Sequence, residues 1–462
     1  MPYHFSPPSG WMNDPNGLIY FDGEWHLFYQ HIPDGDSRQH WGHAVSTNLL
    51  DWQPLPIALY PDQLGSIWSG CVVWDEHDTS GFFDGKDGLV AVFTHQNETA
   101  QRQSLAYSRD HGRTWTKYPA NPVLTHPNPD FRDPKVFWHT PTSRWIMLVT
   151  CGDCVQFYHS PDLKQWFYLS SFGKGWISPA WIWECPDLFT LPLDGETHWV
   201  LHASFVVPSA TDGHTLDASK MRYFIGQFDG EQFTPHPATP PGGHPTSYGA
   251  DDYAGIVFAN APADERIFLA WMNHWAYAWP AHHQGKCEQM TLPRRLSLRR
   301  TPAGLRLFQQ PIHPLQRRTP LAENLRLENQ VYLLNERTGA AFALEAEIEI
   351  GAAHEMGLRL RKGEGQHTVV GYDAARQVIF VDRTQSGATS FHPGFATRHE
   401  APLALSHGRL NLQIFADSTA LEVYANDGHI VLNDLIFPNP SNQALEAYAF
   451  GGTAYITLHL VT

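Results

Sequence analysis

Through the first 300 residues, apolar and polar positions alternate in short aromatic runs that end at turn residues. Residues 18–30 read LIYFDGEWHLFYQ, two strands joined at Asp22-Gly23, a dipeptide suited to the positive φ angles of a tight hairpin. Residues 136–150, 221–234 and 255–272 repeat the scheme. No stretch there shows the 3.6-residue period of an amphipathic helix. Three segments share a serine, an acidic or amide turn and a closing tryptophan: STNLLDW (46–52), SRDHGRTW (108–115) and SPDLKQW (160–166). They recur at roughly 50- to 60-residue intervals, room for about four strands each, which is the size of a propeller blade. About 300 residues at that period make about five blades. The middle segment also has the form of the structural turn called an Asp box.

The texture changes near Leu305. FQQPIHPLQRRTPLAENL carries proline and glutamine without strand alternation, and residues 306–325 are predicted to be a linker. Beyond it FALEAEIEI, GLRLRK, TVVGYD, VIFVDRT, RLNLQIFAD, ALEVYAND and AYITLHLV are evenly spaced alternating strands. The expected architecture is all-β: a five-bladed propeller over 1–305 and a β-sandwich over 326–462.

Composition narrows the function. The chain holds 31 basic against 47 acidic residues, a net charge of −16. That opposes nucleic acid and anionic membranes, both of which call for a basic footprint. No apolar run is long enough to span a bilayer. The N-terminus MPYHFSPPSGW lacks a basic start and an apolar core segment, so a cytoplasmic protein is the expectation. Five cysteines fit reduced thiols, and Cys151-Gly152-Asp153-Cys154 reads as a hairpin turn rather than a metal or redox motif. The 27 histidines show no ligand spacing, so neither metal nor cofactor is expected. The 17 tryptophans suit sugar stacking as well as a β-rich core.

Three acids stand among aromatics and prolines: Asp14 in WMNDPNG, Asp133 beside Arg132 in FRDPKVFW, and Glu184 in WECPDLF. Proline fixes φ and removes a donor, so each acid is stiffly presented. Singly, each could cap a turn or pair with a neighbour. Together, on different blades, they suit glycoside cleavage by converging carboxyl groups.

These three segments, in this order, resemble the signatures of the β-fructosidase family of glycoside hydrolases, the invertases, inulinases and levanases. FYQH (28–31), HWGHAVS (40–46), YGADDYA (248–254), WMNHWAYA (271–278), MTLPRRLSL (290–298), VDRTQSG (381–387) and EVYANDG (422–428) extend the resemblance over nearly the whole chain. It implies a propeller followed by a sandwich, with Asp14 as nucleophile, Glu184 as general acid and base, and Asp133 holding two fructosyl hydroxyls beside Arg132. It also implies that Asn13, Gln30, Trp41, Trp68, Ser69 and Trp271 line the sugar pocket. Trp275, Trp279, His274 and His282 are candidates for the leaving-group side. The sequence departs from the family at Cys71, where a hydroxyl is usual. The implied substrates are sucrose, fructo-oligosaccharides and fructans. A fructosyltransferase, which shares the covalent intermediate, stays open. A non-catalytic fructan-binding propeller would not need all three acids, and the motif contexts speak against an arabinan hydrolase. The sandwich is left with three roles: polysaccharide binding, cover for a blade, or a homodimer interface.

Overall fold

The computed structural model describes residues 3–208, 216–285, 288–313 and 315–462. Five antiparallel sheets follow one another, each built on four strands in chain order. Their innermost strands are Trp11–Phe21, Ser66–Asp75, Phe131–His139, Ile182–Leu193 and Tyr253–Val257. Each touches the next, and the fifth touches the first. The ring closes through backbone: Tyr20 N–H donates to Ala259 C=O and Ala259 N–H to Leu18 C=O, both at 2.9 Å. The only α-helix among the described residues is one turn, Ala278–His282.

The serine-tryptophan repeat forms the turn between third and fourth strands in the first three blades. Ser46, Ser108 and Ser160 each bond the turn's Asn48, Asp110 or Asp162. Trp52, Trp115 and Trp166 each donate their indole N–H to a carbonyl three residues back. These turns are structural, as expected of local side chain to backbone bonding. The Cys151–Cys154 segment is likewise a hairpin turn, with Cys151 N–H donating to Cys154 C=O at 2.8 Å.

The predicted linker is a correction. Its first residues belong to the outer strand of the fifth blade, Gly304–Pro311, and its last to an 18-residue strand, Arg318–Asn335. That strand is exposed along most of its length, so it lacks apolar alternation, and Pro320 sits where its pairing register slips. Its partner, Ala444–Val461, joins both halves of the sandwich: it also pairs with Phe342–Glu349 and with Glu355–Gly363. It bends at Gly451 and Gly452, whose φ values are 73° and 147°. A Cβ on Gly452 would lie 2.1 Å from the Ala352 carbonyl oxygen, so the bend requires glycine.

The sandwich is strapped to the propeller. Residues 248–252 run against the strand Ile430–Leu435: Tyr248 N–H donates to Val431 C=O and Asp251 N–H to Asn433 C=O. Gly249 permits the approach, since a Cβ there would meet the Asn433 backbone at 2.2 Å.

Candidate active site

Every innermost strand breaks register with its neighbour near its start: between Met12 and Pro15, Trp68 and Gly70, Arg132 and Lys135, Glu184 and Asp187, and Tyr253 and Ile256. Such bulges interrupt the in-out alternation and re-aim side chains. Here the re-aimed residues include Asp14, Ser69, Asp133, Glu184 and Cys185. Asp133 and Cys185 pay for the turn with positive φ, 62° and 44°.

Asp14 is 8% exposed and Asp133 5%. Ser69 Oγ donates to Asp14 Oδ2 at 2.7 Å, and Asn13 Nδ2 to Oδ1 at 3.0 Å. Asn13 is itself oriented by Trp11 Nε1 and Gln39 Nε2, which donate to its Oδ1 at 2.7 and 3.1 Å. The Cys185 thiol lies between the two aspartates, 3.5 Å from Asp14 Oδ2 and 3.7 Å from Asp133 Oδ2. Cys185 N–H also donates to Asp133 Oδ2 at 3.0 Å, while Asp133 N–H donates to Thr94 Oγ1. Arg132 donates through Nε and Nη2 to Glu184 Oε1 at 3.1 and 2.9 Å. Its Nη1 reaches Asp130 Oδ1 at 2.8 Å. Tyr253 O–H holds the other oxygen, Glu184 Oε2, at 2.6 Å.

Asp133 and Glu184 thus share one guanidinium, with Arg132 Nε 4.0 Å from Asp133 Oδ2. Burial raises the pKa of Asp14, and the charge of Glu184 raises it further; the hydrogen bonds from Ser69, Asn13 and Cys185 pull it back. Burial likewise raises Asp133, with Glu184 and Asp14 adding to it and Arg132 and Cys185 N–H opposing. Burial works against the charge on Arg132, but the surrounding acids outweigh it. Tyr253 and Cys185, buried beside carboxylates, are held well above their ordinary values and stay neutral donors. Crowding thus disfavours charge on Asp14 and Asp133 together.

Below the acids, Lys135 Nζ donates to Asp187 Oδ2 and to Val257 C=O, tying three blades across the axis. Pro15, Ser69, Asp133, Pro134, Lys135 and Cys185 are among the residues enclosing a void of only about 10 Å³ there. The site therefore has a floor.

Of the residues expected around the sugar, Asn13, Ser69 and Arg132 join the acids directly. Trp68 is half-buried beside Ser69, and its carbonyl accepts from Trp41 Nε1 at 3.1 Å. Gln30 is buried, and its Nε2 donor has no partner among the described residues. Two expectations need correction: Trp41 and Trp271 have no exposed surface. Trp41 packs on Phe28 and Phe93, and Trp271 on Trp11 and Trp275, so both support the wall from behind. Trp279 is the exposed ring at the rim, 40% exposed and stacked on Trp11 with centroids 3.8 Å apart. His282 meets Trp11 edge-on, whereas His274 stacks on Tyr277 toward the sandwich. Cys71 turns away from the acids and accepts from Val136 N–H of the third blade. Of the loops at 206–221 and 274–287, residues 209–215, 286 and 287 lie outside the described residues. Sequence reasoning gave no role to Tyr253, Gln39 or Thr94. Tyr253 lies in a segment that carried the resemblance, but nothing in one dimension shows a tyrosine reaching a glutamate 69 positions away.

The chain is similar to known proteins over nearly its whole length. The chain is 43% identical over 467 residues to a levanase of Bacillus subtilis (strain 168), covering 97% of this chain and 68% of the relative. It is 40% identical over 477 residues to a levanase of Bacillus sp. (strain L7), covering 97% of this chain and half of that longer protein. The crystal structure of exo-inulinase from Aspergillus awamori superimposes with a TM-score of 0.91 at 34% identity, over 100% of this chain and 98% of that one. Residues 4–311 match the glycosyl hydrolases family 32 N-terminal domain. Residues 314–461 match the C-terminal domain of the same family. By sequence and by structure, then, this chain belongs to glycosyl hydrolase family 32.

Proposed function

We propose that the chain is a retaining β-fructofuranosidase that removes terminal fructosyl units from fructans, fructo-oligosaccharides and sucrose. The observation that carries this is the convergence of Asp14, Asp133 and Glu184 from three blades onto one floored site, with Glu184 gripped at both oxygens and Asp14 held by neutral donors. The similarity to levanases and to an exo-inulinase supports the substrate class.

Asp14 attacks the anomeric carbon of the fructosyl ring and forms a covalent intermediate, while Glu184 protonates the departing oxygen. Positive charge grows on the ring in the transition state. Asp133, adjoining Asp14 through the Cys185 thiol, is placed to hold ring hydroxyls and to stabilise that charge. As Glu184 gives up its proton it becomes a carboxylate, and Arg132 and Tyr253 are already aimed at its two oxygens. Glu184 then takes a proton from water, which releases fructose and restores Asp14. Trp279, stacked on Trp11 at the rim, offers a ring face to the leaving sugar.

Sucrose, 1-kestose, inulin and levan, incubated with the protein and resolved by chromatography, test the assignment. Fructose alone accumulating from the polymers is the expected result. Longer oligosaccharides from sucrose would instead identify a transferase. No turnover of any substrate overturns the proposal.

A further inference from the structure

The turn between Cys151 and Cys154 lies beside the catalytic groups, and the mechanism above leaves its two thiols unused. Gly152 at its centre bonds in two directions. Its N–H donates to Asp130 C=O at 2.9 Å, and its C=O accepts from Trp183 N–H at 3.0 Å. Asp130 holds Arg132, and Trp183 directly precedes Glu184. Thr150, just before the turn, donates its hydroxyl to Arg132 C=O at 2.9 Å. One short turn therefore braces both ends of the Arg132–Glu184 pair.

We propose that Cys151 and Cys154 form a reversible oxidation site, a dithiol that closes to a disulfide and lowers activity by displacing this brace. The two residues face each other across the hairpin, next to the Thr150–Val155 pair. Directly opposed strand residues have Cα atoms about 4.5–5.5 Å apart, inside the roughly 4.4–6.8 Å that a disulfide spans. The Cys154 thiol folds back over the turn and donates to Cys151 C=O at 3.4 Å. His126 Nδ1 already accepts Asn128 N–H at 3.0 Å, so that nitrogen carries no proton. It lies 3.6 Å from Cys151 Sγ, so the imidazole packs against that sulfur. The donor at Cys154 is the leading cause that lowers the pKa of Cys151. Burial raises Cys71 to about 12 and holds Cys185 well above its ordinary value, so those thiols are inert. Among the described residues no group of three or more histidines, cysteines or acids could hold a metal ion.

With hydrogen peroxide as oxidant, the Cys151 thiolate attacks one peroxide oxygen. The O–O bond breaks, the sulfenic acid forms, and the hydroxide takes a proton to leave as water. The Cys154 sulfur then attacks the Cys151 sulfur; the S–O bond breaks, and the departing oxygen leaves as a second water with the Cys154 proton. Two thiols supply two electrons, and one peroxide becomes two waters. The sulfurs draw in to about 2.05 Å, which pulls on both arms of the turn.

The test treats the intact protein with hydrogen peroxide, blocks remaining thiols under denaturing conditions, and maps peptides by mass spectrometry. Sucrose hydrolysis is followed before oxidation, after it, and after dithiothreitol. The expected result is loss of two hydrogens within the peptide carrying Cys151 and Cys154, with Cys71 and Cys185 still alkylated. Because ångström-scale misplacement of reacting groups can slow turnover up to about 100-fold, kcat is expected to fall about tenfold and to recover on reduction. Cys151→Ser keeps its activity and shows neither change. No crosslink in that peptide overturns the site, and a crosslink with unchanged kcat overturns the coupling. The activity arm rests on the proposed hydrolase function, but the peptide map does not. Reduced protein without hydrolase activity would therefore fail that function and leave the thiol result readable.

Discussion

Two groups of buried carboxylates in this molecule are built from the same residue types and do opposite things. At the seam between propeller and sandwich, the buried acids lie against buried cations. Arg294 forks onto Asp252 at 2.9 and 2.8 Å, with neither side chain exposed. Arg383 donates to Asp251 Oδ2 at 2.5 Å and to the Tyr277 hydroxyl at 2.8 Å, and Tyr277 returns a bond to Asp251 Oδ1. His4 joins Asp417 at 2.6 Å and Glu422 at 3.1 Å. At the propeller axis Asp133 and Glu184 share Arg132, and Asp14 has only neutral donors. Matched charges hold two domains in register; unmatched ones leave a site whose protons can move. The two regions adjoin at residues 251–253, where Asp251 and Asp252 bind the seam and Tyr253 holds Glu184.

The comparison can be broken at its reactive end first. Asp14→Asn is expected to lower kcat on the order of 10⁴-fold or more, with folding unchanged, because the proposed nucleophile is lost. Steady-state kinetics beside a thermal unfolding curve checks both halves. Glu184→Gln is expected to lower kcat by about 10²- to 10⁴-fold for substrates with poor leaving groups. At the seam the signs reverse. Arg383→Met leaves Asp251 buried without its cation and is expected to remove about 3–5 kcal/mol of stability, read from urea unfolding.

Smaller effects sharpen the contrast through pH. Ser69 donates to the charged form of Asp14 and so lowers its pKa. Ser69→Ala therefore raises that pKa further, and the acid limb of kcat/KM is expected to move to higher pH; an unmoved limb would remove Ser69 from the set that tunes the nucleophile. His4 is the seam counterpart. Burial opposes its charge, but Asp417 and Glu422 raise its pKa to about 10 from an ordinary 6.5. Its contribution to stability is full below about pH 6.5 and is lost as pH rises through about 10. His4→Gln is expected to flatten that decline, measured as unfolding free energy against pH.

Much of this was legible along the chain. The serine-tryptophan turns announced blades, because a turn is made by residues that are neighbours in sequence. Proline beside each acid marked the bulges for the same reason. The exposed strand Arg318–Asn335 was illegible, because alternation reports burial on one face and this strand has little to bury. Trp41 and Trp271 looked like pocket residues, since motif context does not tell a ring that meets ligand from a ring that supports the wall.

By itself the sequence determined the class of fold, which rests on local patterns of polarity and turn chemistry, while its resemblance to a family pointed to the three acids. Only the tertiary structure decided which groups those acids meet. Asp14 gains Ser69, Glu184 gains Arg132 and Tyr253, and Asp251 gains Arg383 because ring closure and the strap at 248–252 bring distant segments together. Charge and proton affinity follow from neighbours in space, and those exist only once the chain has folded.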